Sequence, residues 1–179
     1  MAEWMLADAS WAHAMKYTVL RYFNVAGADP QRRLGQATRG TSHLIRVASE
    51  AALGKRDFVE IFGTDYPTPD GSCIRDYIHV RDLAVVHRLA LARLKSGAPN
   101  LTVNCGYGRG YSVLEVLRTV ERVARTKLDV RKAARRAGDP IAVVADPALA
   151  ISELGWKPKF DSLDAIIKST LEWEKVRTY

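Results

Sequence analysis

Arg75, Asp76 and Tyr77 stand where a turn-rich loop returns into an apolar stretch, inside the run IFGTDYPTPDGSCIRDYIHV from Ile61 to Val80. A short apolar strand leads into that loop, which holds two prolines and two glycines. A guanidinium, a carboxylate and a phenol gathered where two elements meet suit an anionic, ring-bearing ligand. The same residue types also make an ordinary surface loop with a structural ion pair. A second chemical feature is Gly106-Tyr107-Gly108-Arg109-Gly110, between a predicted strand and a predicted helix. It reads as a tight strand-to-helix turn before it reads as a phosphate cradle, because no GxGxxG spacing is present. Metal chemistry has little support. Cys73 and Cys105 form no CxxC pair, and His13, His43, His79 and His87 show no ligand spacing.

The 179 residues predict one domain with a real core, since 47% are apolar. The formal net charge of +7 admits nucleic acid, a membrane surface or a phosphate-bearing small molecule as partner. The densest basic cluster, Arg131 to Arg136, is short and lacks the interleaved aromatics of single-strand binders. It reads as a solvated face. No apolar run is long enough for a membrane span and no signal-peptide pattern opens the chain, so a cytoplasmic setting with free thiols is expected.

The elements that must carry these residues alternate in type. Residues 1–15 read as a helix, and Tyr17–Phe23 as a buried strand closed by Asn24 and Gly27. Ala28–Gly40 reads as loop. A helix on Leu44, Val47, Ala48 and Ala51 ends at Gly54 as its C′ residue. Val59–Phe62 is a strand, Leu83 to Leu94 a helix, and Leu101–Cys105 a strand. Ser112 and Glu115 predict a capping box for the next helix. Leu128–Val130 is expected as an edge strand, Pro147 as the first residue of a short helix ended by Gly155, and Ser162 as the cap of the last helix. The fold class is α/β.

Motifs in order along nearly the whole chain resemble the C-terminal portion of the UDP-glucose 4-epimerase family, extended short-chain dehydrogenases/reductases. They are LRYFNVAGADP at 20–30, GQAT at 35–38, SHLI at 42–45, EIFGTDYPTPDGSCIRDYIHVRDLA at 60–84, VNCGYGRGYSVLEV at 103–116, RRAGDP at 135–140 and LGWKP at 154–158. The resemblance implies the C-terminal remnant of a Rossmann-type doubly wound fold plus a small mixed α/β substrate-binding domain. Residues 1–40 would be the last elements of the NAD-binding domain. Residues 41–179 would mainly bind the UDP-sugar, with 75–110 returning to the Rossmann sheet. The implied activity interconverts UDP-glucose and UDP-galactose through a 4-keto intermediate on bound NAD.

By that resemblance Asn24 contacts the nucleotide sugar and Phe23 lies beside the nicotinamide of NAD. His43 and Leu44 meet the diphosphate and uridine. Glu60, Ile61 and Phe62 line the uracil through main-chain groups. Arg75 and Arg136 clamp the diphosphate, with Tyr77 in the same clamp and Asp139 accepting from ribose hydroxyls. Guanidinium forks suit phosphate oxygens in a way lysine does not. Val143 limits the room beside C2 of the sugar, and its small side chain leaves space for UDP-N-acetylhexosamines. Each of these types also has a bland use: turn asparagine, core aromatic, solvated arginine.

The chain departs from the family decisively. No tyrosine and lysine stand in YxxxK spacing, and on the family register that catalytic pair would precede Met1, as would the glycine-rich turn and ribose-binding acid that make up most of the NAD site. The expectation is therefore a truncated epimerase, inactive alone; the alternatives are a non-catalytic UDP-sugar-binding fragment and, more remotely, a basic nucleic-acid-binding module. The family is homodimeric. The Tyr17–Phe23 strand is expected to leave apolar surface uncovered.

Overall fold

The computed structural model describes residues 1–178. Helix α1 (Ala2–His13) precedes strands β1 (Thr18–Tyr22) and β2 (Asn24–Ala26). Helix α2 (Leu44–Ala52) and strand β3 (Val59–Phe62) follow, and β4 (Ile74–His79) runs straight into α3 (Val80–Lys95). Strands β5 (Leu101–Cys105) and β6 (Gly110–Ser112) lead into α4 (Val113–Ala124). The order then continues with β7 (Val130–Ala133), β8 (Ala142–Val143), α5 (Ala148–Leu154) and α6 (Leu163–Val176).

Strand β4 is the hub. It lies parallel to β2, antiparallel to β6 and parallel to the short β8. Strand β1 pairs with β5 instead, so the chain changes partner at Phe23. Strands β3 and β7 form a separate parallel pair. All but one of these pairings are parallel, which demands crossovers, and the helices supply them.

Two apolar cores hold the layers. In one, Ile45 and Ala48 of α2 meet Val116 and Val120 of α4, Ile166 and Ile167 of α6, and Val59 and Ile61 of β3. In the other, Ile78 of β4 and Val103 of β5 pack with Val86 of α3, Ala150 of α5 and Trp156. The loop before α2 is tied down by polar contacts. Trp173 Nε1 donates to the Gln36 carbonyl at 3.0 Å, and the Gln36 side chain donates to Thr41 Oγ1 at 3.0 Å. Buried Arg46 donates to the Thr38 carbonyl at 2.6 Å and ion-pairs with Glu50 at 3.0 Å and Glu174 at 3.3 Å.

Caps follow the sequence in part. Ser112 and Glu115 make the predicted capping box. Gly54, at φ 70°, closes α2: its N–H donates to the Ala51 carbonyl at 3.0 Å and Lys55 N–H to the Glu50 carbonyl at 2.9 Å. Only glycine enters that left-handed conformation at no cost. Other expectations need correction. The strand predicted at Tyr17–Phe23 is half-buried to exposed, because it has a partner on one edge only. Asn24 does not close it but opens β2. The edge strand expected at Leu128–Val130 begins at Val130, where pairing with β3 starts. Pro147 is the N-cap of α5 and not its first turn. Ser162 occupies the N-cap of α6 without a side-chain capping bond. Strands β6 and β8 are too short to show as periodicity. No helix among the described residues is long and apolar enough to cross a membrane.

Candidate functional site

Alternation along β4 sends neighbouring side chains to opposite faces. Arg75 and Tyr77 go one way, into a cavity of about 660 Å³, and Asp76 goes the other, into the interior. Strand β3 brings Glu60 and Phe62 to the same cavity, with Phe58 just before it, while Ile61 is 3% exposed and packs in the core. The start of α2 supplies Thr41, Ser42, His43 and Leu44, and Asn24 enters from the β1–β2 junction. The segment after β7 closes the far side with Arg136 and Asp139.

Each side chain has an identifiable holder. Asn24 Nδ2 donates to the Asp76 carbonyl at 3.0 Å, which fixes the amide across the β2–β4 pair. Arg75 donates to the Ile74 carbonyl at 2.7 Å and forms an ion pair with Asp139. Arg136 lies over the Phe62 ring, its guanidinium carbon 3.6 Å from the centroid. That stacking holds the fork while leaving its in-plane donors unspent. Asp139 N–H donates to the Arg136 carbonyl at 3.2 Å, closing a turn in which Gly138 takes φ 78°.

The backbone adds donors. Val59 and Gly63 N–H groups point at β7, reaching Asp129 and Ala133 carbonyls at 2.8 and 3.0 Å. Alternation then turns the amides of Glu60 and Phe62 to the opposite edge, where no strand pairs. The first turn of α2 adds amides of its own, since His43, its N-cap, makes no side-chain capping bond. A helix N-terminus and two arginines make the cavity a receiver of anions.

His43 is the least satisfied group in the site. Both ring nitrogens are buried without a hydrogen-bond partner. Its ring sits edge-on to Tyr77, 6.4 Å between centroids. Burial holds its pKa below the usual histidine range, so the free ring is neutral near pH 7. Burial also pushes the Tyr77 hydroxyl far up and raises the thiol of Cys73, which lines the same cavity.

Of the residues singled out from the sequence, the fold brings together Asn24, His43, Leu44, Glu60, Phe62, Arg75, Tyr77, Arg136 and Asp139. It does not put Ile61, Val143 or Phe23 on the cavity wall. Ile61 offers only its main chain, Val143 lies in β8 opposite Arg75, and Phe23 is half-buried beside Asn24. Sequence reading missed Gln36, Thr41, Ser42, Phe58 and Cys73. Phe58 had a signal, the period of two shared with Glu60 and Phe62. The Gly106–Gly108 turn is committed elsewhere: Tyr107 and Gly108 N–H groups donate to the Asp76 carboxylate at 3.1 and 3.0 Å. Among the described residues no cluster of metal-ligating groups occurs.

Comparison with known proteins matches residues 1–106 to the NAD dependent epimerase/dehydratase family. The UDP-glucose 4-epimerase of Azospirillum brasilense is 55% identical over 175 residues, 98% of this chain and 50% of the relative. A crystal structure of UDP-glucose 4-epimerase from Brucella ovis in complex with NAD superposes with a TM-score of 0.91 at 48% identity, covering 96% of this chain and 53% of that one. The UDP-Glc/GlcNAc 4-epimerase of Campylobacter jejuni gives 0.78 at 47% identity, covering 98% and 53%. The chain spans about half the length of the curated relatives it matches. The likeness to these solved structures identifies its fold as that of the Rossmann-type short-chain dehydrogenases/reductases.

Proposed function

The chain belongs to the NAD dependent epimerase/dehydratase family, and on that premise we propose that it is the nucleotide-sugar-binding part of a UDP-glucose 4-epimerase. The observation that carries this is the convergence of Arg75 and Arg136 on one cavity with the uncapped start of α2. Two guanidinium forks and helix amides offer a diphosphate more donors than a single phosphate could use. The free amides of Glu60 and Phe62 suit the acceptor oxygens of uracil. In this reading Asp139 accepts from ribose hydroxyls and Asn24 meets the sugar. Val143 lies off the cavity wall, so the extension of the proposal to UDP-N-acetylhexosamines rests on the family resemblance at that position. In domain terms, residues 1–40 and 75–110 belong to the Rossmann sheet and the remainder mainly holds the ligand.

NAD enters this proposal as the family's cofactor. The described residues offer it Phe23, half-buried at the strand junction, but its phosphates find no cradle here. The amides of the Gly106–Gly108 turn are spent on Asp76. These residues alone do not fit the dinucleotide. No YxxxK pair stands among the 179 residues, so turnover is not expected from this chain by itself. The proposal is thus of an epimerase whose binding function is separable from its chemistry.

Calorimetric titration with UDP, UDP-galactose and UDP-N-acetylglucosamine tests it. Saturable binding of all three, and none of a single-stranded oligonucleotide of equal charge, is expected. Oligonucleotide binding tighter than UDP would overturn the reading, and rejection of the N-acetyl sugar alone would remove the Val143 clause. Proton linkage gives an independent check. A bound diphosphate favours the charged form of His43, whose pKa burial holds down in the free protein. Affinity for UDP-galactose therefore rises as pH falls, about 3- to 10-fold between pH 8 and 5.5. Cys73 and Tyr77, both pushed up by burial, stay out of that window. His43→Asn should bind with a flat profile; an unchanged slope in that variant would sink the assignment.

A further inference from the structure

Asp76 sits between two residues of the cavity but faces away from it, and it is completely buried. Its carboxylate gathers backbone amides from two distant segments: Tyr107 at 3.1 Å and Gly108 at 3.0 Å from the turn after β5, and Ala145 at 3.2 Å from beyond β8. A buried carboxylate so held by neutral donors is costly to assemble and fixes its donors firmly.

The Ala145 contact reaches the site. The stretch that delivers Arg136 and Asp139 is tied at its near end by the Ala133 carbonyl, which accepts from Gly63 N–H at 3.0 Å, and by Arg135, whose Nε donates to Asp65 at 2.7 Å. At its far end β8 contributes only two residues of pairing with β4. One further main-chain bond, Ile74 N–H to the Ile141 carbonyl at 2.9 Å, helps. Beyond that, the bond from Ala145 to Asp76 ends the segment. The packing there is tight: a methyl group on Gly106 would stand 2.5 Å from Ala145 Cβ and 2.7 Å from Asp76 Oδ2.

We infer that Asp76 is a positioning residue for the clamp, anchoring through Ala145 the segment that holds Arg136 and Asp139 against Arg75. The inference rests on the nucleotide-sugar reading of the cavity. Asp76 touches no ligand itself. It sets the span between Ala133 and Ala145, and so the distance at which the second arginine faces the first. The family pattern around Arg75 then combines two tasks in adjacent residues: one faces the ligand and the next fixes what lies across from it.

The test is a thermodynamic cycle read by UDP titration of the full chain. Asp76→Asn is expected to weaken UDP binding about 10-fold, but less than 2-fold when Arg136→Ala is already present, because the two act through one segment. A general loss of structure would cost the same factor in both backgrounds. Gly106→Ala, which leaves the carboxylate intact and displaces the same segment, should repeat the pattern and serves if Asp76→Asn does not fold. Wild-type affinity in both variants, beside a weakened Arg75→Ala, would overturn the positioning role alone. So would equal losses in the two backgrounds. Absence of UDP binding by the unaltered chain would instead overturn the nucleotide-sugar reading beneath it.

Discussion

Replacing Arg75 by alanine is expected to weaken UDP binding about 300-fold, against about 30-fold for Arg136→Ala. The two arginines line the same cavity but differ in their partners. Arg136 is held by the Phe62 ring, and among the described residues it pairs with no carboxylate. Arg75 is paired with Asp139 in the free protein. Removing Arg75 subtracts a charge-assisted contact, worth about 1.5–3 kcal/mol. It also leaves the Asp139 carboxylate uncompensated beside the incoming diphosphate. Like charges at close range in a partly desolvated cavity cost more than rim charges do. Adding Asp139→Ala to Arg75→Ala should therefore recover about 5-fold of the loss. Arg75→Lys keeps the charge but not the fork, and about a 30-fold loss is expected to remain. Calorimetry on the variants, with circular dichroism to verify folding, measures all of this. Equal affinity in Arg75→Ala and the unaltered chain would show that the cavity does not bind its ligand as a diphosphate.

Much of this site was legible in the order of motifs, and the reason is geometric. RDY reads in the sequence as the end of a loop with all three residues toward a ligand; only its place on β4 separates Arg75 and Tyr77 from Asp76, through the period of two. What it could not say is that Asp76 matters, because its partners are main-chain amides 31, 32 and 69 residues away. Backbone donors leave no mark in residue types. The Gly106–Gly108 run is the tight turn its spacing suggested, but that its amides are spent on Asp76 left no mark in the sequence. Helix α2 was legible from its apolar spacing and Gly54, yet Arg46 on it was not expected to be buried. Its burial depends on Glu174, which arrives from the last helix. The pairing switch at Phe23 was equally hidden, since Asn24 and Gly27 read as the close of the first strand and left β2 unseen. Short strands such as β8, two residues long, carry no periodicity at all. The ordered motifs thus named most of the side chains that face the cavity, and long-range polar bonds determined how firmly they are held there.

The largest effect on stability is expected at Asp82, remote from the ligand. It lies in the first turn of α3, 2% exposed, where the helix N-terminus favours a negative charge. Its oxygens accept from the Tyr107 hydroxyl at 2.7 Å, from Lys159 N–H at 3.0 Å and from Phe160 N–H at 2.8 Å. Tyr107 in turn accepts from His79 N–H at 3.1 Å and stacks on Trp156, 6.2 Å between centroids. Asp82 thereby joins the hub strand, the turn after β5 and the chain entering α6. Alanine there strands three part-buried donors at once. Each unsatisfied group costs about 1–3 kcal/mol, but water entry and relaxation make the sum less than additive. A net loss of about 4 kcal/mol is expected in urea denaturation, a large part of a small domain's stability. Asp82→Asn keeps one acceptor and presents an amide donor to donors, so about 2 kcal/mol should go. The contrasting control is Asp164→Ala, which breaks an exposed pair with Arg122 at 2.6 Å. Surface pairs of that kind contribute below about 1 kcal/mol. A loss under 1 kcal/mol at Asp82, matching the control, would mean that the buried carboxylate is not what binds these three segments together.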